Sequence, residues 1–287
     1  MKRYLFLVVL MLAVGITACE HKNLCINHSE HAHRYHVNII ADYRYDWEEC
    51  MGGINWQEEW PEHYIPYDDL RPDDPSGLRV VNYNKEGDYN IHNIKAEGGV
   101  IMLYEGLNDL LFYNNDTEYI IFSRTGNGIT TRATTRTRTR ATYLGSEYAN
   151  EGEPTMSAPD MLYANFFENY LAEKVIEPAD IEVTLQPLVF TYKVRYEFKS
   201  GLKYVAMARG ALSGMAKEVL LNTGETSEEP ATILYDCDVT DYGVRALVNS
   251  FGAPAFPHPN YPTRTENKHA LNLEVVLRNG KMVTFDF

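Results

Sequence analysis

This chain of 287 residues is poor in cysteine and tryptophan and has no long apolar run. It contains four cysteines and three tryptophans. A membrane-spanning helix needs about 20 consecutive apolar residues, whereas the stretch from Tyr4 to Val14 ends well short of that length. The sequence therefore predicts no membrane-spanning helix, and the short run at its start needs another explanation.

Positive charge is also scarce. Lysine and arginine number 26 against 40 aspartates and glutamates, which gives a formal net charge of −14. Nucleic-acid binding depends on lysine and arginine neutralising phosphate, so this balance argues against nucleic acid as a partner. It argues equally against peripheral binding to an acidic lipid surface. The composition also lacks the Ala, Glu, Lys and Leu bias of long helices.

Sequence motifs for catalysis or cofactor binding are missing. The chain has no Walker A, G-x-G-x-x-G or H-E-x-x-H motif. The segment from Arg209 to Gly214 (RGALSG) superficially resembles a hydrolase elbow, but it is not G-x-S-x-G. We therefore expect a protein that is not an enzyme and that binds no cofactor.

The first 19 residues have the layout of a bacterial lipoprotein signal. Lys2 and Arg3 precede the apolar run, and Ile16-Thr17-Ala18 leads to Cys19. We predict a signal peptide over residues 1–18, cleavage before Cys19 and acyl chains on the Cys19 thiol. Two or three acyl chains anchor a protein stably, so we expect this protein to sit on a membrane without crossing it. The expected membrane is the cell outer membrane, with a surface-facing position preferred to a periplasmic one. An ordinary secretory signal with a chance cysteine is the alternative.

Residues 19–34 are polar, show no hydrophobic period and are predicted to be a lipidated tether. A run of histidines invites a metal-binding interpretation, because imidazole is a common metal ligand. A site needs several ligands that converge from a fixed framework, and most of these histidines belong to the tether. A polar linker is the favoured interpretation, so no metal site is predicted. The histidines are His28, His31, His33 and His36.

Lipid on Cys19 leaves Cys25, Cys50 and Cys237 for other chemistry. The periplasm and cell surface permit disulfides, but three thiols leave one unpaired. Cys25 lies close to the lipid, so a bridge between Cys50 and Cys237 is the candidate pair. Three buried or free thiols are an equally good interpretation.

Alternating apolar and polar residues predict an all-β protein. In Phe190–Lys199 the aromatic and apolar residues occupy every second position, which predicts that one face of a strand is buried. Similar runs recur about every ten residues, and Asn279-Gly280 between the last two is a hairpin signal. We predict antiparallel β-sandwiches, with an N-terminal domain over 35–177 and a C-terminal domain over 178–287. The other predicted strands are His36–Trp47, Leu78–Tyr83, Tyr89–Ile94, Val100–Leu103, Leu110–Tyr113, Tyr119–Phe122, Leu202–Leu212, Thr232–Val239, Arg245–Phe251, Leu271–Leu277 and Met282–Phe287.

Two segments depart from this pattern. Thr130–Thr142 (TTRATTRTRTRAT) is of low complexity, and it predicts an edge strand or exposed loop with Arg136, Arg138 and Arg140 on one face. Asp160–Lys174 combines a capping residue with helically spaced apolar residues, which predicts a short amphipathic helix.

Several segments resemble the fimbrillin-like lipoproteins of Bacteroidetes. These segments lie across almost the whole chain after the signal: Cys19–Cys25 (CEHKNLC), Gly98–Ile101 (GGVI), Leu110–Phe122 (LLFYNNDTEYIIF), Pro159–Leu162 (PDML) and Gly210–Ala216 (GALSGMA). The resemblance implies two tandem transthyretin-like domains and a lipid-anchored anchor or accessory subunit of a fimbria. It also implies fimbrial subunits as partners, joined by adding a strand to a neighbour's sheet. Arginine-specific cleavage in related subunits would suit Arg132, Arg136, Arg138 or Arg140, although an exposed loop explains these residues equally well.

A stand-alone surface lipoprotein that binds a glycan or a host protein is the second hypothesis. Trp47, Trp56 and Trp60 near a loop-rich rim would form its binding platform. Tryptophans that cap the sandwich core are the alternative explanation for the same residues.

Overall fold

A computed structural model of the protein describes residues 35–44, 55–149, 152–254 and 268–287. These residues form strands almost throughout, with one short helix, α1 (Trp56–Glu59), and two 3₁₀ turns at Tyr67–Asp69 and Leu202–Tyr204. The strands are β1 His36–Tyr43, β2 Gly77–Asn84, β3 Tyr89–Lys95, β4 Gly98–Met102, β5 Gly106–Asn114, β6 Ile120–Ser123, β7 Arg132–Thr135, β8 Thr155–Ser157, β9 Tyr163–Ala172, β10 Ala179–Pro187, β11 Phe190–Glu197, β12 Val205–Ala216, β13 Glu218–Leu220, β14 Pro230–Val239, β15 Gly243–Ser250, β16 Ala270–Leu277 and β17 Met282–Asp286.

The first sheet closes on itself in the order β1-β10-β9-β5-β2-β3-β4. The first strand lies parallel to β10 and antiparallel to β4, which completes the closure. Its inward-facing residues form an apolar core that includes Ile39, Val80, Leu110 and Leu185. The all-β class predicted from the sequence is confirmed.

The second sheet has the order β11-β15-β14-β12-β16-β17, and β8 pairs with β14 beside this path. Its core contains Val194 and Tyr196 from β11, as the alternation predicts. Phe190 at the start of β11 is 57% exposed instead, so the predicted burial of the whole aromatic face is wrong at that end. The Asn279-Gly280 hairpin joins β16 to β17, and Gly280 adopts a φ of 81° there.

A small third sheet has the strand order β13-β7-β6. It covers the outer face of the first sheet, where a second apolar cluster forms. Val81 and Leu111 contribute to that cluster from the first sheet, and Val219 and Phe251 contribute from the second half of the chain. Strands β2 and β5 are therefore apolar on both faces.

Strand pairing does not change at residue 177, where the sequence predicts a domain boundary. Strand β10 follows that position and still pairs with β1 and β9 of the first sheet. In the opposite direction, β8 pairs with β14 of the second sheet. The division into domains over 35–177 and 178–287 stays a prediction. Each of the two large sheets nevertheless contains a strand from the other side of residue 177.

The helix predicted over Asp160–Lys174 is wrong, because β9 occupies Tyr163–Ala172. It pairs with β5, and neighbouring residues point to opposite sides, with Phe166 on the outer cluster and Phe167 on the inner core. When both faces of a strand are apolar, its residues also satisfy helical spacing, so the pattern alone could not separate the two structures.

The exposed loop or edge strand predicted for Thr130–Thr142 is also wrong in part. Strand β7 has partners on both sides, β6 and β13. Arg140 is only 9% exposed, and its guanidinium donates to the backbone carbonyls of Gly210 and Tyr235 at 3.4 and 3.1 Å. An arginine side chain can be buried in this way because its several N–H donors form hydrogen bonds with the neighbouring backbone carbonyl groups.

Candidate functional site

Two edges of the second sheet have no strand partner in the part of the chain that the structure describes. They belong to β11 and β17, the end strands of the sheet order. The sheet curls so that the ring of Phe287 lies 5.5 Å from the ring of Tyr196 in β11. We call the region between these edges the open seam.

The β17 side of the seam is apolar and partly exposed. Met282, Phe285 and Phe287 are 38%, 44% and 59% exposed, and the Phe285 and Phe287 rings lie 6.5 Å apart in a stacked arrangement. Lysine, proline or a bulge commonly protects an edge strand from pairing. The segment of β17, Met-Val-Thr-Phe-Asp, contains neither lysine nor proline. This edge therefore has little protection against an added strand.

Hydrogen bonding at β17 identifies the groups that face the seam. The Phe287 N–H donates to the Leu271 carbonyl at 2.8 Å, and the Leu271 N–H donates to the Phe287 carbonyl at 3.0 Å. In an antiparallel ladder the alternate residues direct their N–H and C=O groups to the other side. Thr284 and Asp286 therefore offer their backbone groups to the open seam.

A second feature lies on the outer face of β11 and β15. The guanidinium carbon of Arg195 lies 4.1 Å from the centre of the Tyr242 ring and 5.9 Å from that of Trp60. The Trp56 and Trp60 rings are 4.3 Å apart, and Trp56 is 36% exposed. The loop that carries both tryptophans thus lies against the second sheet and leaves part of their rings in solvent.

Positive charge is concentrated beside these rings. Arg195 in β11 lies directly opposite Arg245 in β15, and Lys193 precedes Arg195 by two residues on the same face. Partial desolvation of the Lys193 amine and the charges of Arg195 and Arg245 lower the pKa of Lys193. We call Trp60, Lys193, Arg195, Tyr242 and Arg245 the cation–aromatic patch.

Acidic side chains neutralise this patch only in part. Glu197 binds the Arg195 guanidinium at 2.6 Å, whereas Asp238 lies 3.8 Å from Nε of Arg245. Among the described residues Lys193 makes no salt bridge. Both carboxylates are well exposed, so solvent weakens their attraction to the arginines.

Part of the patch is predictable from the sequence. The alternation in β11 predicts that Lys193 and Arg195 point outward, and Trp56 and Trp60 are the residues of the proposed platform. Neither signal reveals Tyr242 or Arg245, which approach from β15 and the turn before it. Because α1 buries no residue, Trp56 does not cap the core.

Several predicted site residues lie outside the described residues, namely Cys19, Cys50 and Trp47. Lipidation of Cys19 and the bridge between Cys50 and Cys237 therefore stay predictions. Cys237 is half-buried in β14, and burial raises the pKa of its thiol to about 12.

Of the four histidines considered for a metal, only His36 lies in the described part of the chain, at the start of β1. No cluster of three histidine, cysteine, aspartate or glutamate side chains suited to a metal occurs there. No helix in the same residues is long and apolar enough to cross a bilayer.

Comparison with known proteins gives both a family and a fold. A domain of unknown function, DUF5119, matches residues 66–236. No curated protein matches the chain. A protein described as a candidate adhesin, from Bacteroides ovatus, aligns with a TM-score of 0.60 and 21% identity, over 91% of this chain and 84% of its own.

Two further solved structures are less similar. A protein described as a candidate polysaccharide-binding protein (DUF1812), from Bacteroides thetaiotaomicron, aligns over 88% of this chain and 80% of its own, with 8% identity and a TM-score of 0.49. The tip fimbrial protein Mfa3 from Porphyromonas gingivalis, truncated at its C-terminus, aligns over 75% of this chain and 77% of its own, with 14% identity and a TM-score of 0.35.

These observations define an all-β protein with an open sheet edge and a fold shared with the Bacteroides ovatus protein. The chain belongs to the DUF5119 family, since that family matches more than half of its residues. The resemblance to fimbrillin-like proteins of Bacteroidetes is thereby confirmed, at the level of a family whose function is undefined.

Proposed function

We propose that this protein has a surface-adhesion or fimbria-related role, as a lipid-anchored anchor or accessory subunit that assembles by β-strand addition. In this proposal the acyl chains on Cys19 hold it on the outer membrane, facing the surface. Its two parts act as transthyretin-like units, and its partners are fimbrial subunits. The role is structural and not enzymatic.

The open seam is the observation that supports assembly. An added strand gains backbone hydrogen bonds along one edge and packs alternate side chains into the adjoining core. At β17 the backbone groups of Thr284 and Asp286 are directed outward, and the partly exposed rings of Phe285 and Phe287 lie beside them. A partner strand would cover both the polar groups and the rings.

The test compares two substitutions at one position. Thr284→Pro removes the N–H that faces the seam but leaves the bonds to β16 intact, because proline is tolerated on the solvent side of an edge strand. Thr284→Val keeps that N–H and serves as the control. The intact lipoprotein is recovered from detergent-solubilised outer membrane without boiling, and its associated subunits are separated by size.

We expect a ladder of subunits that disappears on boiling, that Thr284→Val retains and that Thr284→Pro loses. A clean monomer for the unmodified protein would contradict the assembly role. A ladder that persists in Thr284→Pro would exclude β17 as the acceptor edge and direct attention to β11.

Glycan binding by a stand-alone surface protein is the second candidate function. The cation–aromatic patch supports it, because Trp60 of the patch and the neighbouring Trp56 leave part of their rings exposed beside charged groups. Such a combination of apolar rings and a few polar groups is typical of small-ligand sites.

A further inference from the structure

We propose that the cation–aromatic patch binds an anionic saccharide, with the carboxylate or sulfate group on the cations and the sugar ring on the aromatic side chains. The proposal rests on the second candidate function, glycan binding, and is independent of strand-mediated assembly. It names the chemical class of the ligand: a sugar that carries negative charge.

The arrangement of cations is the first argument. Phe198 donates to the Tyr242 carbonyl across the β11–β15 pair, so Arg195 and Arg245 form a non-hydrogen-bonded pair, the type in which side chains approach most closely. Like charges directly opposite each other are destabilising. Lys193 adds a third positive charge on the same face. A bound anion would relieve this repulsion.

The acidic side chains in contact with the patch do not fully neutralise its positive charge. Glu197 binds Arg195 closely but is itself 56% exposed, and Asp238 is 78% exposed at 3.8 Å from Arg245. The patch thus has three positive side chains and only two exposed carboxylates to offset their charge. Because Glu197 binds one terminal nitrogen of the Arg195 guanidinium, it competes with an incoming anion at that nitrogen.

The rings supply the second argument. Tyr242 and Trp60 flank the Arg195 guanidinium, which fixes its plane by cation–π contact. The partly exposed Trp56 stacks on Trp60, and Leu247, opposite Lys193, is 56% exposed. A pyranose ring presents an apolar face of C–H groups that can bury this surface while its charged substituent reaches the cations.

Other ligands fit less well. A nucleic acid would meet long-range repulsion from a chain of net charge −14. A neutral saccharide would bury the rings but would leave three positive charges without a counter-charge. An acidic peptide could satisfy the charges, so it is included in the test as a competing outcome.

The experiment titrates the full chain, held in detergent, with trigalacturonate as the anionic probe. Maltotriose is the neutral probe and oligoglutamate the peptide probe, and heat of binding is the readout. The variants are Arg245→Gln and Lys193→Gln, both at exposed positions, and Glu197→Gln. The control is Arg278→Gln, an exposed arginine outside the patch.

We expect trigalacturonate to bind about tenfold more tightly than maltotriose, since charge-assisted hydrogen bonds contribute more than neutral ones. Arg245→Gln and Lys193→Gln should each weaken that binding, Arg278→Gln should not, and added salt should weaken it. Glu197→Gln should strengthen it, because the competing carboxylate is gone. This last variant gains affinity, so misfolding cannot imitate its result.

Three results would overturn the proposal in different ways. Equal affinity for maltotriose would retain glycan binding and reject the anionic class. Tighter binding of oligoglutamate would assign the patch to acidic peptides. No binding of any saccharide would reject the glycan-binding function itself, while a subunit ladder in the separate assembly experiment would be unaffected.

Discussion

At the scale of single residues, the least expected feature is the buried charge between the Thr/Arg-rich segment and the second sheet. Glu274 is 1% exposed and binds the Nε of Arg209, and the Thr142 hydroxyl donates to it at 3.3 Å. Arg140 lies close enough for its pKa to be affected by both Arg209 and Glu274, although burial is the main cause that lowers it. Glu274 is thus the buried carboxylate beside two largely buried guanidiniums, and the exposed Asp236 is a second acid that acts on Arg140.

Replacement of Glu274 by glutamine should therefore be severe. Removing one partner of a buried pair leaves an uncompensated charge, so we expect a loss of about 3 kcal/mol in the free energy of unfolding. Glu197→Gln breaks a salt bridge whose carboxylate is exposed, and its cost should stay below about 1 kcal/mol. Urea unfolding of both variants measures the difference. Equal losses in the free energy of unfolding would show that the burial of Glu274 does not increase the cost of its replacement.

Lys193 gives a prediction that depends on pH. Its pKa is lowered in the folded protein, so the unfolded chain binds more protons at this site. Its contribution to stability is therefore unfavourable at neutral pH and is relieved as the pH rises towards 10.5, the ordinary value. Lys193→Gln should be at least as stable as the unmodified protein at pH 7, and the difference should shrink near pH 10.5.

Arg278→Gln removes one positive charge at an exposed position outside the patch, so it controls for the loss of a surface charge. Urea unfolding at both pH values is the measurement. A Lys193→Gln variant that is destabilised at neutral pH would mean that the side chain contributes a favourable contact that outweighs the repulsion.

At the scale of secondary-structure elements, close packing between β12 and β14 explains a glycine. Gly210 lies opposite Tyr235 in the register, and a methyl group at Gly210 would overlap the Tyr235 ring. That ring is buried, and its hydroxyl is 3.1 Å from the hydroxyl of Tyr196. The ring therefore cannot move aside without disturbing the core.

Gly210→Ala should destabilise the protein by about 1–3 kcal/mol, the usual cost of overpacking a core. Gly126→Ala is the matched control, because a methyl group there meets no atom within 4 Å. Thermal unfolding followed by circular dichroism measures both. If Gly210→Ala were as stable as the control, the Tyr235 ring would have to be free to shift.

Much of this β structure could be predicted from alternation. The bounds of β2, β3, β14 and β16 fall within about two residues of the predicted strands. Strand β10 also alternates, with Ile181, Val183 and Leu185 buried, so its sequence carries the pattern of a half-buried strand. Strand β9 could not be assigned in this way, because the pattern of a strand apolar on both faces overlaps with that of a helix.

The short strands and the cation–aromatic patch could not be predicted from the sequence. Strands β8 and β13 have three residues each, and they form because another part of the chain offers an edge. The cation–aromatic patch has the same origin. Arg195 and Arg245 come together only through the β11–β15 register, which is a property of the whole fold.

At the scale of the whole molecule, strands from each half of the chain complete sheets of the other half. Strand β13 pairs with β7, and β8 pairs with β14. The outer apolar cluster also draws residues from both halves, including Leu111 and Val219. These shared contacts predict a single cooperative unfolding transition and not two.

Whether the two large sheets unfold together can be tested with a substitution in the core of the first sheet and a fluorescent probe on the second. Val80 is fully buried in the first sheet, and Val80→Ala should cost about 2 kcal/mol. Trp60 lies against Arg195 of the second sheet, so its fluorescence reports on that sheet when the two other tryptophans, Trp47 and Trp56, are replaced by phenylalanine. If the sheets unfold together, Val80→Ala lowers the melting temperature of the Trp60 signal and of the far-ultraviolet circular dichroism by the same amount.

Val100→Ala is the control, since Val100 is 56% exposed on the outside of the same sheet and should change neither signal. A Trp60 transition that stays in place while the circular dichroism shifts would mean that the second sheet is stable without the first. The shared strands β8 and β13 would then contribute little to stability, and the domain boundary predicted at residue 177 would describe two independent folding units. Equal shifts would instead mean that the open seam and the patch are both supported by the complete chain.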